Sequence, residues 1–168
     1  MKCPDCGHDN IAGVDLCASC GQSLSQESLP QPKKGLQRAI METPLGALDP
    51  AVAITVPPGE PTANVVRRMR EGKQGSALIV DGGLLLGIFT ERDIVNRLTG
   101  QKRDLAKLPI SDVMTKNPKA LRADHTLAFA MHQMSVGNYR HVPVFTDGKP
   151  PRFVSVRGVL KFLHEKTR

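Results

Sequence analysis

Tryptophan is absent from this chain of 168 residues, tyrosine occurs once, and aromatic residues make up only 4%. A buried core must therefore be assembled from Val, Leu, Ile, Ala and Met, which the 40% hydrophobic content allows. No apolar run approaches the ~20 residues that a membrane-spanning helix requires, so no membrane partner is expected. No secretory signal is expected either, because Cys3 and Cys6 stand where its apolar stretch would lie. The chain is thus expected to be cytoplasmic. In that reducing compartment its four cysteines are expected to hold metal rather than to pair as disulfides. Catalytic signatures are lacking too: there is no G-x-S-x-G, no phosphate loop, no H-E-x-x-H and no supported Ser/His/Asp arrangement. The expectation is a protein that is not an enzyme.

Net charge is +7 and the isoelectric point about 9.5, a balance that favours anionic partners. The cations are spread from Lys33 to Arg140, with no dense run interleaved with aromatics. That pattern fits a solvated basic face better than a nucleic-acid surface. Nucleic-acid binding is kept as the alternative and is not favoured.

The cysteines lie in two copies of one pattern, Cys3-Pro-Asp-Cys6-Gly and Cys17-Ala-Ser-Cys20-Gly, separated by nine residues. Two intervening residues let both sulfurs of a copy reach one ion, and the following Gly lets the backbone turn tightly behind them. Cys3, Cys6, Cys17 and Cys20 together supply the tetrahedral thiolate set of structural zinc, Zn2+, and a segment this short needs the metal to fold. Iron in the manner of rubredoxin would fit the same four sulfurs. A redox dithiol is the third reading, but such motifs open a helix in a larger fold, and none is evident. His8 is taken as a bystander. The ribbon is assigned to residues 1–21, and the Ser-, Gln- and Pro-rich stretch 22–43 reads as a linker, with a short helix near Leu36 to Met41.

The remainder is duplicated. A gapless shift of 65 residues places Ala63 on Ala128, Met69 on Met134, Gly72 on Gly137, Gly83 on Gly148 and Arg92 on Arg157. Each copy, 44–106 and 107–168, reads as β-α-β-β-α. In the first, strands are expected over 52–56, 77–80 and 84–89, and helices after Pro61 and over 91–98. In the second, strands are expected over 119–121, 142–145 and 152–156, and helices over 125–136 and 157–164. Asp81-Gly82-Gly83 and Asp147-Gly148 are the hairpin turns. A copy of this size buries too little surface to be stable alone, so the pair should share a core. The fold class is α+β, with the two repeats packed sheet to sheet behind a small zinc ribbon.

The segment Gly87-Ile-Phe-Thr90-Glu-Arg-Asp93-Ile follows the pattern G-h-h-[ST]-x-x-D-h, Ile110-Ser-Asp-Val-Met114-Thr115 resembles a lead-in to a second repeat, and His141-Val-Pro143-Val resembles a central strand. On these residues the region from about 47 to 166 resembles a tandem pair of cystathionine-β-synthase-type (CBS) domains. The resemblance implies clefts between repeats that take AMP, ADP, ATP or S-adenosylmethionine, a regulatory role and pairing into homodimers. The ribbon would serve a protein partner.

An ionised Asp93 has only acceptor lone pairs and suits both hydroxyls of a ribose, while Thr90 and Arg92 suit a phosphate. Thr90-x-x-Asp93 is equally a capping box, which steadies a helix and binds nothing. In the second repeat Ser155 keeps the hydroxyl, but Gly158 stands where the acid belongs, so one competent and one degenerate site are expected. The resemblance completes the Asp93 site with Met114, Lys119, Ala120, Tyr139, Arg140 and His141. Tyr139 would stack on a base unless it is packed in the core, and His141 reads as a satisfied histidine rather than a catalyst.

Overall fold

The computed structural model describes residues 1–3, 5–11, 14–24, 35–100 and 102–166. They divide into two compact units. One comprises the N-terminal 51 residues with 121–147 and 153–168, and the other 52–120 with 148–152. Helix α1 (Leu36–Glu42) and a 3-10 turn (Leu45–Leu48) are followed by β1 (Ala51–Val52), β2 (Ile54–Val56), α2 (Thr62–Glu71), β3 (Ser76–Asp81) and β4 (Leu84–Thr90). Next come a short α3 (Glu91–Asp93) that widens into a π turn over Ile94–Leu98, a 3-10 turn (Ile110–Asp112) and β5 (Thr115–Lys116). The second repeat supplies β6 (Leu121–Arg122), α4 (Leu127–Val136), β7 (His141–Phe145), β8 (Arg152–Ser155) and α5 (Val156–Lys166).

Two four-stranded sheets result, ordered β2-β3-β4-β5 and β1-β8-β7-β6. The 65-residue duplication is visible in their register. Val56 pairs with Ile79 in one parallel ladder, and Leu121 pairs with Val144 in the other. Helices α2 and α4 cover equivalent residues and both stop at a glycine, Gly72 and Gly137. The chain then turns through a left-handed residue, Lys73 at φ 51° and Asn138 at φ 50°.

The cores follow from the side-chain pattern. The continuous run Ala77-Leu78-Ile79 is fully buried in the middle of its sheet. Helix α2 buries Thr62, Val65 and Met69, and leaves Arg67, Arg68 and Arg70 exposed. In the first unit Leu45, Leu121, Leu127, Ala130, Val142 and Val144 form one cluster, against which Ile40 of α1 packs. Gly82 and Gly83, at φ 54° and 83°, make the β3–β4 turn that only glycine enters freely.

Two of the expected strands differ from the sequence pattern. The strand expected over 52–56 is broken at Ala53, whose N–H donates to Pro151 O at 3.0 Å, so β1 joins β8 while β2 joins β3. The strand expected over 119–121 starts only at Leu121, and Lys119 and Ala120 lie before it, exposed. The helix near 36–41 is present as α1. The rest of the expected linker, over 25–34, lies outside the described residues.

Candidate functional site

The two knuckles are built alike. In each, a glycine N–H donates to the first cysteine's carbonyl: Gly7 to Cys3 at 3.0 Å, and Gly21 to Cys17 at 2.9 Å. Both glycines have φ 72°, a left-handed turn that a side chain would strain. Each first cysteine then donates back across the loop, Cys3 N–H to His8 O at 2.9 Å and Cys17 N–H to Gln22 O at 2.8 Å. The four Sγ atoms all lie within 4.8 Å of one another, and Cys3–Cys20 and Cys6–Cys17 approach to 3.6 Å. Sulfurs at about 2.3 Å from a tetrahedral ion are about 3.8 Å apart, so the set fits zinc-like coordination and is too open for disulfides.

Burial pushes the Cys3 thiol up to about 11 and raises that of Cys20 as well. Burial also opposes the Cys17 thiolate, but N–H groups of Cys20 and Ser19 and the Asn10 side chain outweigh it and bring the thiol down to about 6. A cation entering here meets one ready thiolate and must displace protons from thiols that hold them. Asn10 is a residue the sequence reading missed. Its amide donates to His8 O at 3.0 Å and reaches Cys17 Sγ at 3.5 Å, and its carbonyl accepts from Ala18 N–H at 2.9 Å.

The ribbon lies against the second repeat's first helix. The Thr126 hydroxyl donates to the Asp5 carbonyl and also caps α4 by accepting from Phe129 N–H at 3.2 Å. The Asp5 carboxyl is buried, which raises its pKa, while the charge of His132 pulls it partly back. Cys6 and Cys20 pack on the edge of the first unit's core.

In the other unit the Thr90–Asp93 capping box is fully formed at the start of α3. Asp93 is 7% exposed, and four donors meet its carboxylate. Oδ2 accepts from Thr90 N–H at 2.9 Å and from the Thr90 hydroxyl at 2.7 Å. Oδ1 accepts from the Thr115 hydroxyl at 3.1 Å and faces Arg97 Nε at 3.3 Å. A carboxylate has about four acceptor positions, so a further donor can enter only by exchange. Arg97 also donates to Val113 O at 2.9 Å, to Met114 O, and to the Thr115 hydroxyl at 3.3 Å. Its i,i+4 spacing from Asp93 was readable as a helical ion pair, but its backbone acceptors were not. The π turn belongs to this clasp, and such turns recur at functional sites.

Met114 is buried against Gly87, where an added Cβ would lie 2.4 Å from Met114 Sδ. Arg92, two residues after Thr90, is exposed. Tyr139, Arg140 and His141 belong to the first unit. The Tyr139 ring is half-buried over Gly137, whose hypothetical Cβ would sit 1.9 Å from Tyr139 Cε1, and burial raises its phenol pKa. His141 meets the edge of Phe153 with ring centres 5.7 Å apart, and Arg140 is exposed. Ser155 accepts from Gly158 N–H at 3.1 Å, which makes a helix cap without a carboxylate. Among the described residues no helix is long and apolar enough to cross a membrane.

The family model of the CBS domain matches this chain over residues 38–100 and 110–165. The CBS domain-containing protein CBSCBSPB5 of Arabidopsis thaliana is 36% identical over 98 residues, which are 58% of this chain and 18% of that protein. The chain therefore spans less than a fifth of that relative's length. A solved CBS-domain containing protein of Agrobacterium tumefaciens is 32% identical at a TM-score of 0.59, covering 66% of this chain and 88% of its own. An uncharacterized conserved protein of Pyrococcus horikoshii shares the fold at a TM-score of 0.64 and 22% identity, over 73% of this chain and 92% of that one.

Proposed function

The chain belongs to the CBS domain family, and from that premise we propose that it is a non-enzymatic regulatory module. It binds an adenosine nucleotide or S-adenosylmethionine through Asp93, and it holds zinc in the Cys3, Cys6, Cys17 and Cys20 cluster. The observation that carries the ligand reading is the nature of the donors on Asp93. Each carboxylate oxygen accepts one hydroxyl, Thr90 on Oδ2 and Thr115 on Oδ1. The vicinal hydroxyls of a ribose present the same pair of donors from one molecule, so they replace the two threonines one for one. The backbone N–H of Thr90 and the Arg97 guanidinium stay in place and keep the carboxylate oriented. Arg92, exposed two residues after Thr90, supplies a cation for the phosphate or for the carboxylate of the methionine moiety.

Met114 packs on Gly87 and fixes the backbone that presents Thr115. Lys119, Ala120, Tyr139, Arg140 and His141 enter the proposal from the resemblance alone, as does pairing into a homodimer. A ligand signals here by favouring one of two arrangements of the Thr115 segment, because only differential affinity shifts such an equilibrium. The metal would be structural: four thiolates close the coordination shell and leave no open position for chemistry.

Titration calorimetry of the full chain against AMP, ADP, ATP and S-adenosylmethionine tests the reading, together with mass spectrometry of small molecules released from freshly purified protein. Saturable binding of at least one adenosyl ligand at one site per chain is expected. No binding and no co-purified adenosyl compound would refute it.

A further inference from the structure

Among the described residues one buried side-chain polar atom has no hydrogen-bond partner, the hydroxyl of Ser76. The residue is 1% exposed. Burying a hydroxyl without a partner is unfavourable, and alanine would fill this strand position without that penalty. The unpaired atom stands beside the Asp93 site. Ser76 is directly opposite Thr90 in the antiparallel β3–β4 ladder. Residues so paired project from the same face of a sheet, with Cβ atoms about 4.5–5.5 Å apart. The neighbouring Gly75 carbonyl accepts from Glu91 N–H at 3.1 Å, which fastens the start of β3 to the start of α3.

We propose that Ser76 is a positioning residue for ligand exchange at Asp93: when a ribose diol takes over the carboxylate, the displaced Thr90 hydroxyl turns to pair with Ser76. The inference rests on the ribose reading above. In the structure the Thr90 hydroxyl is committed to Asp93 Oδ2 at 2.7 Å. A diol that displaces it would strand a half-buried hydroxyl, and the loss would count against the ligand. A move between staggered χ1 wells redirects Thr90 Oγ1 without moving the backbone, and a Thr–Ser hydroxyl pair across two strands is a favourable arrangement. Only the long 3.4 Å contact from Asp93 N–H to Thr90 Oγ1 is given up. Before exchange Asp93 has four donors and Ser76 has no partner. Afterwards Asp93 again has four, and the two hydroxyls satisfy each other. Ser76 is the spare partner that lets Thr90 let go.

The test compares Ser76→Ala and Ser76→Cys with the unmodified chain, by thermal melting without ligand and by calorimetry with AMP, ADP, ATP and S-adenosylmethionine. Ser76→Ala is expected to melt at or above the unmodified temperature, because it removes an unsatisfied buried group, and yet to bind about 5- to 10-fold more weakly. Ser76→Cys, similar in size with a weaker donor and acceptor, is expected to fall between the two in affinity. Unchanged affinity in Ser76→Ala would overturn the inference and leave the ribose reading standing. A ligand-free Ser76→Ala that fails to fold would overturn it as well, by making the hydroxyl structural. Failure of the unmodified chain to bind any of the four ligands would remove the ribose reading and this inference with it.

Discussion

Replacing Asp93 with Ala separates the capping role of this carboxylate from the ligand-binding role proposed for it. In the ligand-free protein the substitution removes a capping box, which contributes about 1 kcal/mol. It also releases the Thr115 hydroxyl, which is exposed and finds water, and one contact of Arg97, whose side chain is 41% exposed and keeps its bonds to Val113 O and Met114 O. An ion pair that open to solvent adds at most about 1 kcal/mol. The total is about 2 kcal/mol, below the 5–15 kcal/mol or so that typically holds a domain together, so the fold survives. The melting temperature should drop by roughly 4–8 °C. The proposed ligand should lose more. Two hydroxyl-to-carboxylate bonds at about 1.5 kcal/mol each amount to about 3 kcal/mol, or about two orders of magnitude in Kd.

The assay is calorimetry with the ligand that binds the unmodified chain best, repeated with its 2′-deoxy analogue. The analogue should bind the unmodified chain about tenfold more weakly, and should lose nothing relative to the parent ligand on Asp93→Ala. If Asp93→Ala binds within twofold of the unmodified chain while remaining folded, the diol argument is wrong and the carboxylate is only a helix cap.

Freshly purified reduced protein should contain one zinc per chain by elemental analysis, and a red iron-loaded form would identify the rubredoxin-like alternative. Zinc release monitored with a chromophoric chelator should increase as the pH is lowered, because protons compete for sulfurs whose thiols, such as Cys3 at about 11, hold them tightly; pH-independent release between pH 8 and 5 would contradict thiolate ligation. Thr126→Val removes both the α4 cap and the hydroxyl that meets the Asp5 carbonyl, and should lower stability by about 1–2 kcal/mol in thermal melts; an unchanged melt would show that the ribbon's seat does not depend on it. Gly87→Ala places a Cβ 2.4 Å from Met114 Sδ and 3.0 Å from Thr115 O. It should cost about 1–3 kcal/mol by denaturant titration.

What could be read along the chain was what depends on near neighbours. The knuckles were legible because two residues between cysteines and a glycine behind them fix the sulfur geometry locally. The duplication was legible because one shift aligned whole helices, down to the left-handed turns at Lys73 and Asn138. Arg97 was not singled out, because its acceptors on Val113 and Met114 lie between a 3-10 turn and a two-residue strand that no periodicity announces. The break at Ala53 was hidden for a like reason: its partner, Pro151, lies almost a hundred residues away and was not readable from a run of β-formers.

The sequence alone determined the four sulfur donors, the repeat and the acid that one copy has and the other lacks, since each is a matter of residue type and spacing. It left open whether Asp93 was free or bonded, and whether the ribbon stood apart from the repeats. Tertiary structure decided both. Chain folding brought Thr115 onto Asp93, the Val113 and Met114 carbonyls onto Arg97, and Thr126 onto Asp5, and hydrogen bonds between residues distant in sequence exist only once the backbone has closed those distances.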